Sequence, residues 1–134
     1  MLMLEDAIKQ RLAQMPELAG WVVRGGCDLV DRSAVPALDV RMLAAAPGDV
    51  SREAAQLEPR WSVALVLERG NQAAARLDMA ITQVIRALHC WRPQLPGWDR
   101  MKLAGVRPVD FSEGALVGFS VEFTTVGSFD GADD

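Results

Sequence analysis

Alternating bulky residues in the middle of the chain predict the central strand of a sheet. The large apolar side chains between positions 60 and 69 fall on every second residue: Trp61, Val63, Leu65 and Leu67. This period directs them to one face of a pleated strand. The spacing then becomes helical, through Leu77, Ile81, Val84, Ile85 and Leu88. We therefore predict a strand over 60–69 and a helix over 72–91, capped by Asn71 and ended at Arg92-Pro93.

The rest of the chain supplies a second helix and further strands. A stripe of Leu4, Ile8, Leu12 and Met15 predicts an amphipathic helix that ends before Pro16. Strands are predicted at 21–23, 37–43, 101–110 and 116–125. Gly105 and Pro108 weaken ladder pairing, so the strand at 101–110 should contain a bulge or lie at an edge. We expect 37–43 to pair with 60–69, and the last two strands to form a hairpin.

These elements predict a single α+β domain over residues 1–126. Two helices that each carry one apolar stripe cover one face of a mainly antiparallel sheet of about four or five strands. The segment 37–43 alternates between apolar and charged residues, so one of its faces should be wet. Residues 127–134 are short, acidic and rich in glycine, and we predict a frayed tail there.

A long segment separates two strands that should pair. Residues 44–59 contain Ala44-Ala45-Ala46-Pro47-Gly48 and show no clear period. Loops longer than about 12–15 residues are uncommon in compact domains and are often functional. We interpret 44–59 as a protruding loop, or arm; the simpler alternative is a solvent-exposed insertion with one helical turn after Ser51.

Composition narrows the function classes. The chain has 134 residues, a formal net charge of −4 and no apolar run near the roughly 20 residues that span a bilayer. The acidic balance, with a pI near 5.0, argues against a non-specific nucleic-acid binder. No secretory signal precedes Glu5, so we expect the protein to stay where it is made, with Cys27 and Cys90 as free thiols.

Candidate chemistry is sparse. His89 is the single histidine and stands beside Cys90, but neighbours on a helix project about 100° apart and do not readily share a metal. The carboxylates are scattered, and no glycine-rich loop resembles a nucleotide fingerprint. We predict no catalytic residue, no metal site and no cofactor, and we interpret the chain as a non-enzyme.

One predicted surface is unusual for a monomer. The strand faces turned away from the helices carry Ala64, Val66, Gly118, Ser120 and Thr124, which are small and weakly polar. Such a face suits contact with another subunit. The alternative is a sheet face that is polar enough to meet water alone.

The order of elements resembles the Mu-like phage tail terminator family of tailed phages and prophages. The resemblance covers nearly the whole chain. It is carried by the opening helix with Leu4-Glu5-Asp6-Ala7-Ile8, the loop 44–59, the strand from Arg60 to Leu67, the helix ending in Trp91-Arg92-Pro93, and the final Phe119-Ser120-Val121-Glu122-Phe123.

The resemblance implies a structural protein that forms a ring, usually six-fold, on the last ring of the tail tube. Such a ring stops tail polymerisation and offers a surface to the head. The implied partners are further copies of the chain, the tail tube protein and the head-tail connector or neck protein, with DNA only passing through the lumen and no membrane involved. The implied location is the host cytoplasm during assembly and then the virion tail. The alternatives are a head-closure or neck protein, and a soluble binding module unrelated to phages.

The arm and the sheet face together give the candidate interface. We expect ring closure through sheet edges, with 21–43 as the strand side and the arm directed along the ring axis toward the tube. An acidic lumen would let DNA slide. The candidate subunit or tube contacts are Asp39, Arg41, Asp49, Arg52, Glu53, Ala64, Val66, Gly118 and Ser120.

Overall fold

A computed structural model describes residues 1–51, 53–112 and 114–130. These residues form one α+β domain with two helices and a mixed sheet of six strands. The helices are α1 (Met3–Ala13) and α2 (Ala73–Leu88), with a short 3-10 turn at Pro16–Leu18. The strands are β1 (Val22–Gly25), β2 (Ala37–Val50), β3 (Ala54–Glu68), β4 (Lys102–Val109), β5 (Leu116–Thr124) and β6 (Gly127–Asp130).

The sheet confirms the predicted α+β class and adds two features. Its order is β1-β2-β3-β5-β4, and β6 pairs with the N-terminal part of β3. All pairs are antiparallel except β1 with β2, so the sheet is mixed and has one strand more than the largest number predicted. The expected pairing of 37–43 with 60–69 and the hairpin of β4 with β5 are both present. The bulge expected in β4 lies between Leu103 and Gly105.

Both helices pack on one face of the sheet, as the apolar stripes predict. Trp61 lies opposite Phe123 in the register of β3 and β5, and both side chains are fully buried. Leu4, Ile8 and Leu12 of α1 and Leu77, Val84 and Leu88 of α2 belong to the same buried cluster. We call the opposite side of the sheet the outer face. In the described part of the chain, no helix has the length and apolar character needed to cross a membrane.

The prediction that residues 44–59 form a loop is wrong, because most of this segment is strand. β2 runs to Val50 and β3 begins at Ala54, so the two strands extend past the sheet body as an antiparallel hairpin. A register shift between Met42 and Ala44 marks the point where this extension begins. From here on the name arm covers residues 43–59, one residue more than the predicted segment, and the arm is a strand hairpin instead of a loop.

The C-terminal segment and the two ends of helix α2 also differ from the prediction. Gly127–Asp130, predicted as the start of a frayed tail, is strand β6 and pairs with residues 54–57. Residues 131–134 lie outside the described residues. Helix α2 ends at Leu88, earlier than predicted, because His89 has an extended backbone and Cys90 has a φ of 64°. Its N-cap is Gln72 without a side-chain hydrogen bond, so the predicted Asn71 cap is wrong.

Candidate functional site

The arm is exposed on most of its surface and is held at its base. In β2, every residue from Leu43 to Pro47 is exposed, as are Asp49 and Val50. On the other side of the hairpin, β6 adds a third strand next to residues 54–57. Three paired strands resist bending far better than a single loop. The arm is therefore a defined projection with a fixed direction.

Trp98 fastens β6 to the body of the protein. Its ring meets Phe129 edge to face with centroids 5.8 Å apart, and it lies so close to Gly127 that any added Cβ would overlap the ring. Backbone bonds from Asp99 N to Val126 O (3.0 Å) and from Ser128 N to Gly97 O (3.0 Å) complete the attachment. The connector over residues 94–99 is thus the clamp of the arm.

A buried carboxylate organises the centre of the outer face. The Glu122 side chain is 3% exposed and accepts hydrogen bonds from Arg60 Nε (2.6 Å) and Ser120 Oγ (3.3 Å), while Arg107 Nε lies 2.6 Å from its other oxygen. Burial raises the pKa of Glu122, but the hydrogen bond from Arg60 and the charge of Arg107 together lower it by more. The pKa of Glu122 is therefore below its ordinary value. Ser62 and Ser120 share a 2.6 Å hydrogen bond beside it. Glu122 is therefore ionised and holds two arginines in place.

A second ion pair lies toward β1. Arg24 is 2% exposed and binds both carboxylate oxygens of Asp39, at 2.6 and 2.9 Å. Its remaining nitrogen donates to the carbonyls of Asp31 and Ala34, so it ties the loop before β2 onto the outer face. Arg32 adds a 3.7 Å contact to Asp39. Two cations thus already compensate Asp39 within the chain.

The structure divides the predicted interface residues into two groups. Arg41, Asp49 and Glu53 are exposed, and Asp39 and Ala64 are half-buried. Val66, Gly118 and Ser120 are buried inside the chain itself. A Cβ at Gly118 would come within 2.9 Å of the Phe111 ring, which covers this part of the sheet. The interpretation of this stretch as an open, weakly polar face is therefore wrong, and Arg52 lies outside the described residues.

Sequence reasoning missed the charged residues of the outer face. Arg60, Lys102 and Arg107 project from β3 and β4 on the same side as Glu122, because their register partners Thr124 and Ser120 share the parity of Glu122 on β5. The only available signal was the alternation of Glu122 with the apolar residues of the final strand. That signal does not say which cations lie across from it.

Three carboxylates near the start of the chain form a separate cluster. Oxygens of Glu5, Asp6 and Asp28 lie within 4.8 Å of one another. Lys9 binds Asp28 at 2.8 Å and Asp6 at 3.2 Å, and the backbone N–H of Cys27 donates to Glu5. The hydrogen bond from Lys9 lowers the pKa of Asp28, and its bond to Asp28 raises the pKa of Lys9. The cluster is an internal salt bridge that fixes α1 to the loop after β1.

His89 and Cys90 connect the end of helix α2 to the neighbouring strand β4. His89 Nδ1 accepts a hydrogen bond from the Leu103 backbone N–H at 3.0 Å, and Cys90 N donates to Met101 O at 2.7 Å. Both contacts join the end of α2 to the start of β4. The His89 side chain and the Cys90 backbone therefore help to position an edge strand of the sheet.

The structure is a small α+β module with a single sheet, one helical layer, a projecting arm and a charged outer face. The sequence matches the phage tail terminator protein family over residues 2–129. The chain belongs to this family, and it is a structural protein of a virion tail.

The fold also recurs in a solved particle. A chain from a structure described as the virion of a native gene transfer agent particle superposes with a TM-score of 0.71 and 13% sequence identity. The match covers 94% of this chain and 95% of that chain. At this identity the likeness concerns the fold. A search among curated proteins finds no match. The family match overturns the alternative of a binding module unrelated to phages.

Proposed function

We propose that this protein caps the phage tail tube as a hexameric ring, ends tail polymerisation and provides the surface to which the head joins. The observation that carries the proposal is the family match over residues 2–129, because it spans both helices, the arm and nearly the whole sheet. On this proposal the protein assembles in the host cytoplasm and remains in the virion tail. The partners are further copies of the chain, the tail tube protein and the neck protein, and DNA passes through the lumen without a stable contact.

The open edges of the sheet support ring formation. β1 pairs only with residues 37–40, so in the described part of the chain the edge of β2 beyond Val40 has no strand next to it. β4 forms the opposite edge and is exposed over most of its length. Two different edges favour a head-to-tail contact between copies, and repetition of such a contact generates a ring when the rotation closes.

The proposal assigns no catalytic role to any side chain. The carboxylates Glu122 and Asp39 on the outer face are paired with arginines, and His89 accepts a hydrogen bond from the Leu103 backbone N–H. We infer that the protein acts by binding alone. The exposed predicted residues Arg41, Asp49 and Glu53 then belong to contacts with other copies or with the tube.

A polymerisation assay tests the capping function. Purified tail tube protein is allowed to form tubes with and without the chain, and the chain is located on them by gold labelling in negative stain. We expect label at one end of each tube and no further growth from that end. Label along the tube wall, or unchanged growth from both ends, would contradict the proposal.

A further inference from the structure

The arm and the outer face carry opposite charge. At the arm tip, Asp49, Glu53 and Asp130 are exposed acidic residues, and Arg52 is the single base in the sequence from 44 to 59. The sequence after Asp130 contains two further aspartates. We call Asp49, Glu53 and Asp130 the acidic tip. Even when Arg52 is counted, the acidic tip region has a net negative charge.

The outer face of the sheet is basic although the whole chain is acidic. The register places four cations on this face: Arg41, Arg60, Lys102 and Arg107. We call these four residues the basic face. Two carboxylates lie near them, the buried Glu122 and the exposed Glu58, and Asp39 is already paired with Arg24 and Arg32. The central part of the outer face therefore has a net positive charge.

Glu122 holds two of these cations, Arg60 and Arg107, in a fixed position on the outer face. It engages Nε of Arg60 and Arg107, whose side chains remain 41% and 66% exposed. Among the described residues, the terminal guanidinium nitrogens of these two arginines donate no hydrogen bond. Guanidinium groups with fixed stems and free terminal nitrogens are suited to bidentate contacts with carboxylates. Their order is set before a partner arrives, which reduces the entropy lost on binding.

One chain does not bring the acidic tip to its own basic face. β2 and β3 run continuously from the sheet into the arm, and the clamp at Trp98 holds β6 beside them. Along β3 the charge changes sign between Arg60 and Glu58, close to where the arm leaves the sheet body. The tip therefore projects away from the sheet that carries the opposite charge. A second copy of the chain supplies the missing partner surface.

The arm has the length that this contact requires. Residues 43–50 extend for roughly 25 Å at about 3.3 Å per residue, whereas five strands about 4.8 Å apart span roughly 20 Å. An arm that leaves one copy therefore reaches across the sheet of a neighbour. Because the tip and the face are different surfaces, the contact is head-to-tail and is compatible with a closed ring.

We propose that the acidic tip of each copy binds the basic face of the next copy around the ring. This inference rests on the proposed ring and names the contact that closes it. The acidic partner is a second copy of this chain; the tail tube protein and DNA are the occupants that the test distinguishes.

Two charge-reversed variants test the contact. In the tip variant, Asp49→Lys and Glu53→Lys make the tip positive; in the face variant, Arg41→Glu and Lys102→Glu weaken and partly reverse the face. These face residues have no salt bridge within 4.0 Å among the described residues, so the change spares the Glu122 cluster. A matched control, Glu17→Lys with Asp78→Lys, changes the net charge as the tip variant does but alters exposed acids away from the arm. Circular dichroism and thermal unfolding verify that each variant folds.

The readout is tail length in particles assembled with each variant in place of the wild type. We expect the tip variant and the face variant each to weaken self-association by about tenfold to a hundredfold and to give over-long tails. Co-expression of the two should restore normal length, because a positive tip then meets a negative face and the reverse contact is also attractive. The control should behave as wild type.

The alternative occupants give different results. If the tip variant gives over-long tails and co-expression of the face variant does not restore normal length, the tip binds another protein such as the tail tube. The inference is then overturned. If the face variant loses binding to duplex DNA while assembly stays normal, the face binds DNA and the inference is also overturned. If removal of the whole chain leaves tail length normal, the proposed function itself fails. The two failures are therefore distinguishable.

Discussion

Glu122 shows how one buried carboxylate determines the character of a whole sheet face. It is almost fully buried on the outer face and binds two arginines and a serine. A buried charge is tolerated only when it is paired and hydrogen-bonded. The same contacts hold the Arg60 and Arg107 side chains in place on the outer face. Under the proposed contact between copies, stability and recognition depend on the same side chain.

Substitution of Glu122 should reduce stability. Glu122→Gln keeps the shape of the side chain but removes the charge that both arginines bind, so we expect the free energy of unfolding to fall by about 1–3 kcal/mol. Urea unfolding measures the change. Glu68→Gln is the matched control, because Glu68 is exposed at the end of β3 and the same substitution there should have little effect.

The pH dependence of this variant follows from the direction of the pKa shift. In the folded protein the pKa of Glu122 lies below its ordinary value of 4.5, so its contribution to stability is fully present above that pH and is lost as the pH falls through the lowered pKa. The wild type should therefore lose stability more steeply than Glu122→Gln on acidification below 4.5. Parallel losses in the two proteins would show that Glu122 does not stabilise the fold through its charge.

At the scale of elements, the arm depends on its attachment through β6. Trp98 contacts Gly127 and Phe129, and the neighbouring backbone bonds fix the connector to β6. Without the indole, β6 keeps its ladder with residues 54–57 and the backbone bonds to the connector, but it loses the ring that packs against Gly127 and Phe129. A four-residue strand at an edge is then expected to open locally.

Trp98→Ala should therefore loosen the arm and leave the domain folded. We expect amide hydrogen exchange at 54–57 and 127–130 to become at least about tenfold faster, which corresponds to about 1.4 kcal/mol of local opening free energy. The amides of α2 and β5 serve as the internal reference. Equal acceleration across the whole sheet would mean that Trp98 supports the global core instead of the arm.

The elements that pack against the core are predictable from sequence, because burial imposes a period. The stripe of α2 and the alternation through Trp61, Val63 and Leu65 gave the correct type of element and the correct pairing. The arm has no such period, since strands without a buried face carry no consistent alternation. Ala44-Ala45-Ala46-Pro47 therefore gives no sign of a strand, although these residues pair with β3.

The candidate site was predicted only in part for a related reason. The arm acids Asp49 and Glu53 follow directly from the sequence, as they lie in the long segment predicted to protrude between two paired strands. The basic face depends on which residues of β4 lie across β5 from β3, and that register is set by the bulge at Leu103 and Gly105. A shift of one residue would move Lys102 to the other face. Long-range register is not encoded in local patterns.

At the scale of the whole molecule, the body and the arm contribute differently to the core. The helices and the buried half of the sheet form the core, and the arm adds little to it, because its residues are largely exposed. Pro47 and Leu57 are register partners, so residues 48–56 form the distal end of the hairpin. Replacement of 48–56 by Asn-Gly closes the shortened hairpin with a two-residue turn that suits antiparallel strands. This variant removes Asp49 and Glu53 and should still fold.

The tail-length distribution tests most directly whether this chain ends tail polymerisation. It is measured by electron microscopy in a producing strain that lacks the chain, and again after supply of the wild type or the arm-shortened variant. We predict over-long and variable tails without the chain, a single normal length with the wild type, and no correction by the arm-shortened variant even though it folds. Tails of normal length in the absence of the chain would contradict the account.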